Sequence, residues 1–364
     1  MRVLVAPDSF KGTLAAGGVA RAVAEGWRRA RPGDAVVEVP LADGGEGTLD
    51  ALAAAVPGAV RHGVPGVSGP DGRLVDAAWL ELPGGRAVVE LAVSSGLPLM
   101  AAPAPLTAHT YGLGQVLAAA VRTGSVRTIS IAVGGSASTD GGAGALAALG
   151  ARLRTAGGAG VPLGGAGLLD LGSVELSGLL PGPPGGAEVL ADVTTPLLGP
   201  AGAAAVFGPQ KGAGAAEVAL LDRALARLAE HLGGAPGAPG SGAAGGTAYG
   251  LATVWGARIT PGAARIADLV GLAGHIAAAD LVITGEGRFD ATSLAGKLTG
   301  YVARAAAAAD RPVVAITGAA DPAATWPGTA VRTLTEIAGS TEAAVAEPAR
   351  WLREAAAQLA GQLS

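Results

Sequence analysis

The stretch TISIAVGGSASTDGGAG, residues 128–144, carries the clearest fold signal in the chain. It begins as a β-branched run, passes through a glycine-rich turn and continues into an alanine-rich segment with helical spacing of apolar residues. A strand that leads through such a turn into a helix forms one βα unit, and repeated units build a largely parallel sheet covered by helices. The stretch therefore predicts an α/β fold.

The same turn is a candidate anion site. Gly134 and Gly135 make backbone N–H groups available to a ligand. Together with nearby hydroxyls, such groups suit a phosphate. The hydroxyls beside them belong to Ser136, Ser138 and Thr139. Asp140 adds a carboxylate next to Gly141. A tight helix–sheet turn would explain the glycines but not the hydroxyls and the acid.

The alternation of strand and helix signals continues along the chain. Strands are predicted at Val3–Ala6, Val36–Val39, Ala87–Leu91, Thr128–Val133, Val189–Val193, Leu281–Thr284 and Val313–Ile316. Helices are predicted to begin near Thr13, Glu46, Thr110, Gly141, Ala216, Ala263, Ser293 and Thr341. The length of 364 residues indicates roughly two domains.

Composition narrows the class of protein. Glycine (61 residues) and proline (24 residues) stay together below the roughly 25–30% at which disorder is expected. The net charge of −4 without a basic run argues against nucleic acid as a partner. The absence of cysteine excludes disulfides, thiolate catalysis and iron–sulfur clusters, and the four scattered histidines form no zinc-binding spacing.

Neither targeting nor membrane insertion is expected. The start MRVLVAPDSFKG has only a short apolar run before Pro7 and Asp8, which does not fit a secretory signal, so we expect a cytoplasmic protein. Residues 91–121 carry no charge, but Pro98, Pro103 and Pro105 interrupt them, so they predict a strand, a loop and a helix. The Gly/Ala/Pro/Ser segment 233–246 predicts a flexible surface loop, with a mobile lid as the alternative.

Two acidic turns follow the first two strands. In APDSFKG, residues 6–12, Asp8 or Ser9 could cap the next helix, but Lys11 has no capping role and could meet an anion. In LADGGEGT, residues 41–48, Asp43 and Glu46 direct oxygens toward a metal or a proton while glycines such as Gly44 let a ligand approach. An acidic hairpin or helix cap is the alternative for the second turn.

Two further charged segments follow later strands. Asp192 ends a predicted strand, and Lys211 lies in a Pro-Gln-Lys-Gly turn; an ordinary surface charge is the alternative for each. After the strand near residue 281, both signs of charge occur within a dozen residues, on Glu286, Arg288, Asp290 and Lys297. Ligands of open α/β sheets bind beyond the carboxyl ends of the strands, which is where all these segments fall.

Several familiar motifs are absent. Ala291 stands where a Walker A loop needs its first glycine, and Leu298 stands where it needs Ser or Thr. Asp290 replaces the third glycine of a dinucleotide-binding turn, and no protein-kinase motif or nucleophile elbow is present. Acids, lysines and glycine–hydroxyl turns are compatible with phosphoryl transfer, which depends on positioning and charge neutralisation.

Six segments together resemble the glycerate kinase family of the bacterial glycerate 2-kinase type. They are VLVAPDSFKGTL, VPLADGGEGTLDAL, GGSASTDGGAGAL, DVTTPLLGP, AVFGPQKGA and DLVITGEGRFD with the later GK. They occur in order from the first residue to about residue 316, and the remainder is less distinctive. The resemblance implies ATP- and Mg²⁺-dependent phosphorylation of D-glycerate to 2-phosphoglycerate.

The resemblance also implies two α/β domains, one inserted in the other, with the active site in the cleft between them. The outer domain would comprise residues 1–61 and 279–364, and the inserted domain residues 62–278. No nucleic acid or membrane partner is implied, and a homo-oligomer is compatible with the sequence.

Seventeen positions are the resulting candidates for the site. The catalytic candidates are Asp192, Lys11, Asp43, Glu286, Asp290 and Lys297, and the metal candidates among them are Asp192, Glu286 and Asp290. Candidates for binding substrate or ATP phosphates are Asp8, Ser9, Gly44, Glu46, Gly134, Gly135, Ser136, Asp140, Gly141, Lys211 and Arg288. Chemically, Ser136, the two glycines before it and Lys211 suit phosphate, whereas Lys11, Arg288 or Lys297 suits the glycerate carboxylate.

The sequence departs from the family pattern at three positions. The family often has Asn where Thr139 and Thr195 stand, and commonly Gln where Ala291 stands. Because these changes leave the charges in place, a kinase of a related small hydroxy acid is the first alternative. A catalytically silent nucleotide-binding protein on the same fold is the second.

Overall fold

The computed structural model describes residues 1–291, 293, 298–321, 323–324 and 329–363. The α/β class is confirmed, since helices alternate with strands that pair mainly in parallel.

The Cα positions divide the chain into two compact units. Unit 1 consists of Met1–Asp43, Asp50–Pro57 and Ala263–Ser364, and unit 2 consists of Gly44–Leu49 and Gly58–Gly262. The division into an outer domain of residues 1–61 and 279–364 and an inserted domain of residues 62–278 stays a prediction.

The described residues form fifteen strands and fourteen α-helices. The strands are β1 Arg2–Val5, β2 Ala35–Glu38, β3 Val60–Ser68, β4 Leu74–Leu82, β5 Arg86–Glu90, β6 Thr128–Ala132, β7 Arg152–Thr155, β8 Leu171–Glu175, β9 Ala187–Leu190, β10 Arg258–Thr260, β11 Leu281–Thr284, β12 Arg288–Phe289, β13 Val313–Thr317, β14 Ala319–Ala320 and β15 Ala330–Thr333. The helices are α1 Ala16–Ala30, α2 Thr48–Ala55, α3 Ala92–Ser95, α4 Tyr111–Arg122, α5 Ala143–Ala148, α6 Ala203–Phe207, α7 Ala215–Leu232, α8 Thr247–Trp255, α9 Gly262–Leu269, α10 Leu272–Ala277, α11 Leu298–Ala308, α12 Leu334–Ala338, α13 Thr341–Ala346 and α14 Pro348–Gln362. Short 3₁₀ turns lie at Leu97–Leu99, Ala166–Asp170 and Pro209–Lys211.

Unit 1 contains a five-stranded parallel sheet in the order β15-β13-β11-β1-β2. This is the order of a doubly wound sheet, in which the chain leaves β1 toward one edge and later returns to extend the other. The switch point lies between β1 and β11, where Val3 pairs with Leu281. Ligands of such sheets bind beyond the carboxyl ends of the strands at this point.

Helices cover the unit 1 sheet closely. Trp27 of α1 is fully buried in a core with residues of β1, β11 and α14. A side chain at Gly26 of α1 would lie 2.1 Å from the carbonyl oxygen of Arg353 in α14. Only glycine therefore permits this approach of the two helices.

Unit 2 contains a six-stranded mixed sheet in the order β10-β9-β6-β5-β4-β3. The four strands from β10 to β5 pair in parallel, and β4 and β3 extend the sheet as an antiparallel hairpin. The core of this unit is built mainly from Ala, Val, Leu and Ile, as the low aromatic content requires.

All seven predicted strands are present, with ends displaced by at most three residues. The helices predicted near Thr13, Glu46, Thr110, Gly141, Ala216, Ala263 and Thr341 are also present within three residues of the expected starts. The one expected near Ser293 is described from Leu298 onward. No helix of the described residues is both long and apolar enough to cross a membrane.

The expectation of a surface loop at residues 233–246 is wrong for its second half. Residues 240–246 are mostly buried, and Gly141 donates a backbone hydrogen bond to the carbonyl of Gly245. A side chain at Gly245 would lie 2.2 Å from the carbonyl oxygen of Ser138. The lack of side chains, which suggested a loop that buries little, is what lets this backbone pack directly on the turn after β6.

Candidate active site

Unit 1 contains a cavity of about 320 Å³ at the switch point of its sheet. It brings together six of the predicted site residues: Asp8, Ser9, Lys11, Asp43, Glu286 and Arg288. They come from the segments that follow β1, β2 and β11, so the segments after these three strands line one cavity.

The backbone after β1 and β11 is arranged to face this cavity. Asp8 donates its backbone N–H to the carbonyl of Gly285 at 2.8 Å, which continues the pairing of the two strands. A side chain at Gly285 would lie 1.9 Å from the carbonyl oxygen of Ile316. Glycine at this position therefore lets the turn that carries Glu286 pass beside β13.

The alternative role of Asp8 and Ser9 as helix caps is not observed. Helix α1 begins after Ala15, and no side chain caps it. Instead, Ser9 donates its backbone N–H to Oδ1 of Asp8 at 2.6 Å, which orients that carboxyl group within the cavity lining. The Asp8 side chain is thereby available for chemistry rather than for helix capping.

The electrostatics of the cavity are dominated by three carboxyl groups. Burial raises the pKa of Asp8 from its ordinary value of 3.8 to about 7, and repulsion from Asp43 and Glu286 adds to this shift. The N–H of Ser9 and the charge of Lys11 oppose it. Lys11 Nζ lies 3.8 Å from Asp43 Oδ2, with the lysine largely exposed. A pKa near neutrality suits a group that exchanges protons with a substrate.

Asp290, which belongs to the same segment as Glu286, has a different role. Asp290 accepts a hydrogen bond from the N–H of Ser293 and donates its own N–H to the Ser293 hydroxyl, a reciprocal pair typical of a helix start. Among the described residues of unit 1, Asp290 is not one of those that line the cavity. Lys297 lies outside the described residues.

Unit 2 contains the second group of predicted residues, around the turn after β6. Lys211 is 2% exposed and donates from Nζ to the Ser136 hydroxyl at 2.9 Å and to the Ser138 carbonyl. Burial lowers the pKa of Lys211 to about 7, against the opposing effect of the Asp140 carboxylate. The buried hydroxyls of Ser138 and Thr139 have no hydrogen-bond partner among the described residues. The turn therefore combines a buried amine with spare hydroxyls.

The glycines of this turn hold two loops together. Gly134 donates to the carbonyl of Gly44 at 3.0 Å, and a side chain at Gly134 would lie 2.5 Å from the Cα of Gly45. Gly135 has a φ of +75°, a conformation that favours glycine. The predicted residues Gly44, Gly134 and Gly135 are thus neighbours in unit 2.

Asp140 organises the helices beside the turn. Its fully buried carboxylate accepts hydrogen bonds from the N–H and hydroxyl of Thr110 and from the N–H groups of Gly142 and Gly144. These donors lie at the starts of α4 and α5. Gly141 beside it has a φ of +63°. The structure thus places Asp140 where it fixes two helix termini.

Replacing Thr110 with valine tests this network. The change removes the donor to Asp140 Oδ2, at 2.8 Å, and the acceptor for the N–H of Ala145, at 2.9 Å, while keeping the shape of the side chain. We expect the free energy of unfolding in urea to fall by about 2 kcal/mol. The exposed Thr107→Val serves as the control and should change it by less than about 0.5 kcal/mol. Equal effects at the two positions would contradict the assignment.

Glu90 is a buried carboxylate that the motif analysis missed. It is 2% exposed, and its Oε1 and Oε2 each accept one hydrogen bond at 3.0 Å, from the N–H groups of Gly47 and Leu49. It thereby anchors the loop that carries Gly44 and the exposed Glu46. The sequence signal was an acid at the end of the apolar run of β5, a place where burial is costly unless the charge is paired.

Asp192 follows β9 in unit 2 and is exposed. Its Oδ1 accepts a hydrogen bond from the N–H of Gly262, also of unit 2, at 2.8 Å. Among the described residues, no group of three or more His, Asp or Glu side chains is placed to hold a metal ion. A magnesium ion needs fewer protein ligands, since it usually takes one or two carboxylates together with substrate phosphates and water.

Comparison with known proteins gives the family. The model of the Glycerate kinase family matches residues 3–364. The chain is 41% identical over 327 residues to the glycerate 2-kinase of Escherichia coli K12, covering 87% of this chain and 85% of that protein. It is 40% identical over 334 residues to the glycerate kinase of Bacillus subtilis 168, with the same two coverages.

A solved structure agrees with these sequence matches. The crystal structure described as glycerate kinase 2 from Salmonella typhimurium LT2 superposes with a TM-score of 0.84 at 37% sequence identity, covering 100% of this chain and 98% of that one. Since the family model spans nearly the whole sequence, this chain belongs to the glycerate kinase family.

Proposed function

We propose that this protein transfers the γ-phosphoryl group of ATP to D-glycerate, with Mg²⁺, and releases 2-phosphoglycerate in the cytoplasm. The observation that carries the proposal is the cavity in unit 1, which joins three carboxyl groups to Lys11 and Arg288 at a sheet switch point. A small hydroxy acid needs a cation for its carboxylate and an acceptor for its hydroxyl proton, and this cavity offers both.

Separate groups would serve the two substrates. Lys11 and Arg288 bind the glycerate carboxylate, and an acid of the same cavity accepts the proton of the reacting hydroxyl. The Lys211 amine and the Ser136 hydroxyl, with the glycines before it, bind phosphate oxygens. A buried amine with a pKa of about 7 can take up a proton when an anion binds beside it at neutral pH. It can therefore neutralise phosphate in a site that contains little water.

The donor set of unit 1 fits a magnesium ion. Asp43 and Glu286 add to the cost of ionising Asp8, as the raised pKa of Asp8 indicates, and a divalent cation near these groups would relieve that cost. Glu286 and Asp43 are the residues we assign to hold it. Bound Mg²⁺ would supply charge neutralisation for the transferred phosphoryl group.

The proposal is tested by incubating the protein with D-glycerate, ATP and Mg²⁺ and following the products by ³¹P NMR. A 2-phosphate signal that appears together with ADP is the expected result. A 3-phosphate would keep the kinase and contradict the regiochemistry, and turnover of other hydroxy acids alone would contradict the substrate. Nucleotide binding without turnover of any hydroxy acid would contradict the enzymatic function.

A further inference from the structure

The lining of the cavity in unit 1 combines charged with apolar side chains. The charged side chains are the carboxyl groups and cations described above. The apolar side chains, which we call the apolar wall, are Phe10 and, from the segment with α12, α13 and the start of α14, Leu334, Ala344, Val345 and Pro348; the same segment also contributes Thr335 and Thr341. This second part of the lining belongs to the portion of the chain that carried no recognisable motif.

The apolar wall is anchored in the core of unit 1. Phe10 and Leu334 are 3% and 1% exposed, so their positions are fixed by the core of unit 1. Val345 is 54% exposed and lies at the cavity, where a ligand could cover it. Thr335 is held by a hydrogen bond from its hydroxyl to the carbonyl of Gly318 at 2.9 Å, and both residues line the cavity.

Glycerate leaves this wall unused. Each of its three carbons carries oxygen, so it has no alkyl group that could replace water against Val345. The cavity volume of about 320 Å³ also falls at the lower end of the range for pockets that hold drug-sized ligands. Such ligands are several times larger than a three-carbon acid. The cavity is larger, and its lining is more apolar, than glycerate requires.

We propose that the acceptor pocket also takes 2,3-dihydroxy acids that carry a short alkyl group beyond C3. The inference rests on the proposed function, because it places the acceptor in this cavity. In the reaction, the γ-phosphorus breaks its bond to the β,γ-bridging oxygen and forms one to the C2 hydroxyl oxygen. The hydroxyl proton passes to a carboxylate of the cavity, and ADP leaves.

Matched acceptors test the inference. At fixed ATP and Mg²⁺, kcat/KM is measured for D-glycerate, 2,3-dihydroxybutanoate, 2,3-dihydroxypentanoate and 2,3,4-trihydroxybutanoate, with the diastereomers separated. We expect kcat/KM to rise about fourfold for each added methylene that contacts the wall. The trihydroxy acid should fall below 2,3-dihydroxybutanoate, since the two differ by one hydroxyl facing apolar carbon. Equal or lower values for the alkyl homologues would overturn the inference.

Two variants on one helix locate the effect. Val345→Asp should lower the ratio of kcat/KM for 2,3-dihydroxypentanoate to that for glycerate at least fivefold. Ala346→Asp introduces the same charge at the next position of α13, outside the cavity lining, and should leave that ratio unchanged. The same loss of ratio in both variants would contradict a role of the wall.

Hydrogen exchange provides a readout that does not need turnover. 2,3-Dihydroxypentanoate alone should slow amide exchange in residues 334–348, and glycerate should do so less. Protection of this segment by ADP but not by the homologue would overturn the inference in favour of a nucleoside pocket. If glycerate is not phosphorylated, the proposed function fails, and the exchange result still decides whether the wall binds alkyl hydroxy acids.

Discussion

Replacing Lys211 with methionine is expected to lower kcat/KM for the proposed ATP-dependent phosphorylation of glycerate by a factor of about 10²–10³. Methionine keeps the length and apolar stem of the side chain but removes the amine that contacts Ser136 and the Ser138 carbonyl. The loss should fall on the reaction rather than on folding, because a buried lysine with a pKa of about 7 contributes little ionic stabilisation at neutral pH.

The number of protons taken up when nucleotide binds shows whether Lys211 contacts phosphate or only packs in the core. At pH 8, an amine with a pKa of about 7 is mostly neutral, and a bound phosphate would restore its charge. Calorimetry in buffers of different ionisation enthalpy should therefore record the uptake of about 0.9 proton for each ATP bound. Lys211→Met should abolish this uptake.

The neighbouring position supplies the control. Gln210→Met places the same side chain on the exposed residue before Lys211 and should leave both kcat/KM and proton uptake within twofold of the wild type. Normal turnover in Lys211→Met, or an unchanged uptake of protons, would remove Lys211 from the phosphate site.

The positions of the lysines show how much of the site can be predicted from the sequence. The chain has only three lysines, Lys11, Lys211 and Lys297, and each lies in a segment predicted to carry chemistry, whereas arginine supplies the other basic side chains. A compact ammonium can lose its charge on burial, which a guanidinium does not do. At Lys211 the structure gives a physical reason for this choice, since the side chain is fully enclosed.

What could not be predicted depends on long-range pairing. The hairpin of β3 and β4 was missed because Gly63, Pro65 and Gly66 interrupt β3, and its mostly exposed strand gains its order from pairing with β4. Glu90 was missed for a related reason, because its partners on the 44–49 loop are about forty residues away in sequence. Local patterns identified strands and turns, whereas these contacts required the fold.

The second large effect is expected at Asp8, through the pH dependence of stability. The folded protein keeps a proton on this carboxyl up to about pH 7, whereas the unfolded chain loses it near pH 3.8. Between these values the folded state binds more protons, so the contribution of Asp8 to stability is full below the lower pKa and is lost as the pH rises through the upper one.

Asp8→Asn should remove this loss while keeping an acceptor for the N–H of Ser9. We expect the unfolding free energy of the variant, measured relative to wild type in Mg²⁺-free urea titrations, to increase by about 2–3 kcal/mol between pH 5 and pH 8. Asp268→Asn makes the same chemical change at an exposed position of unit 1, and its difference from wild type should stay constant over that range. A constant difference for Asp8→Asn as well would mean that Asp8 is ionised in the folded protein at pH 5.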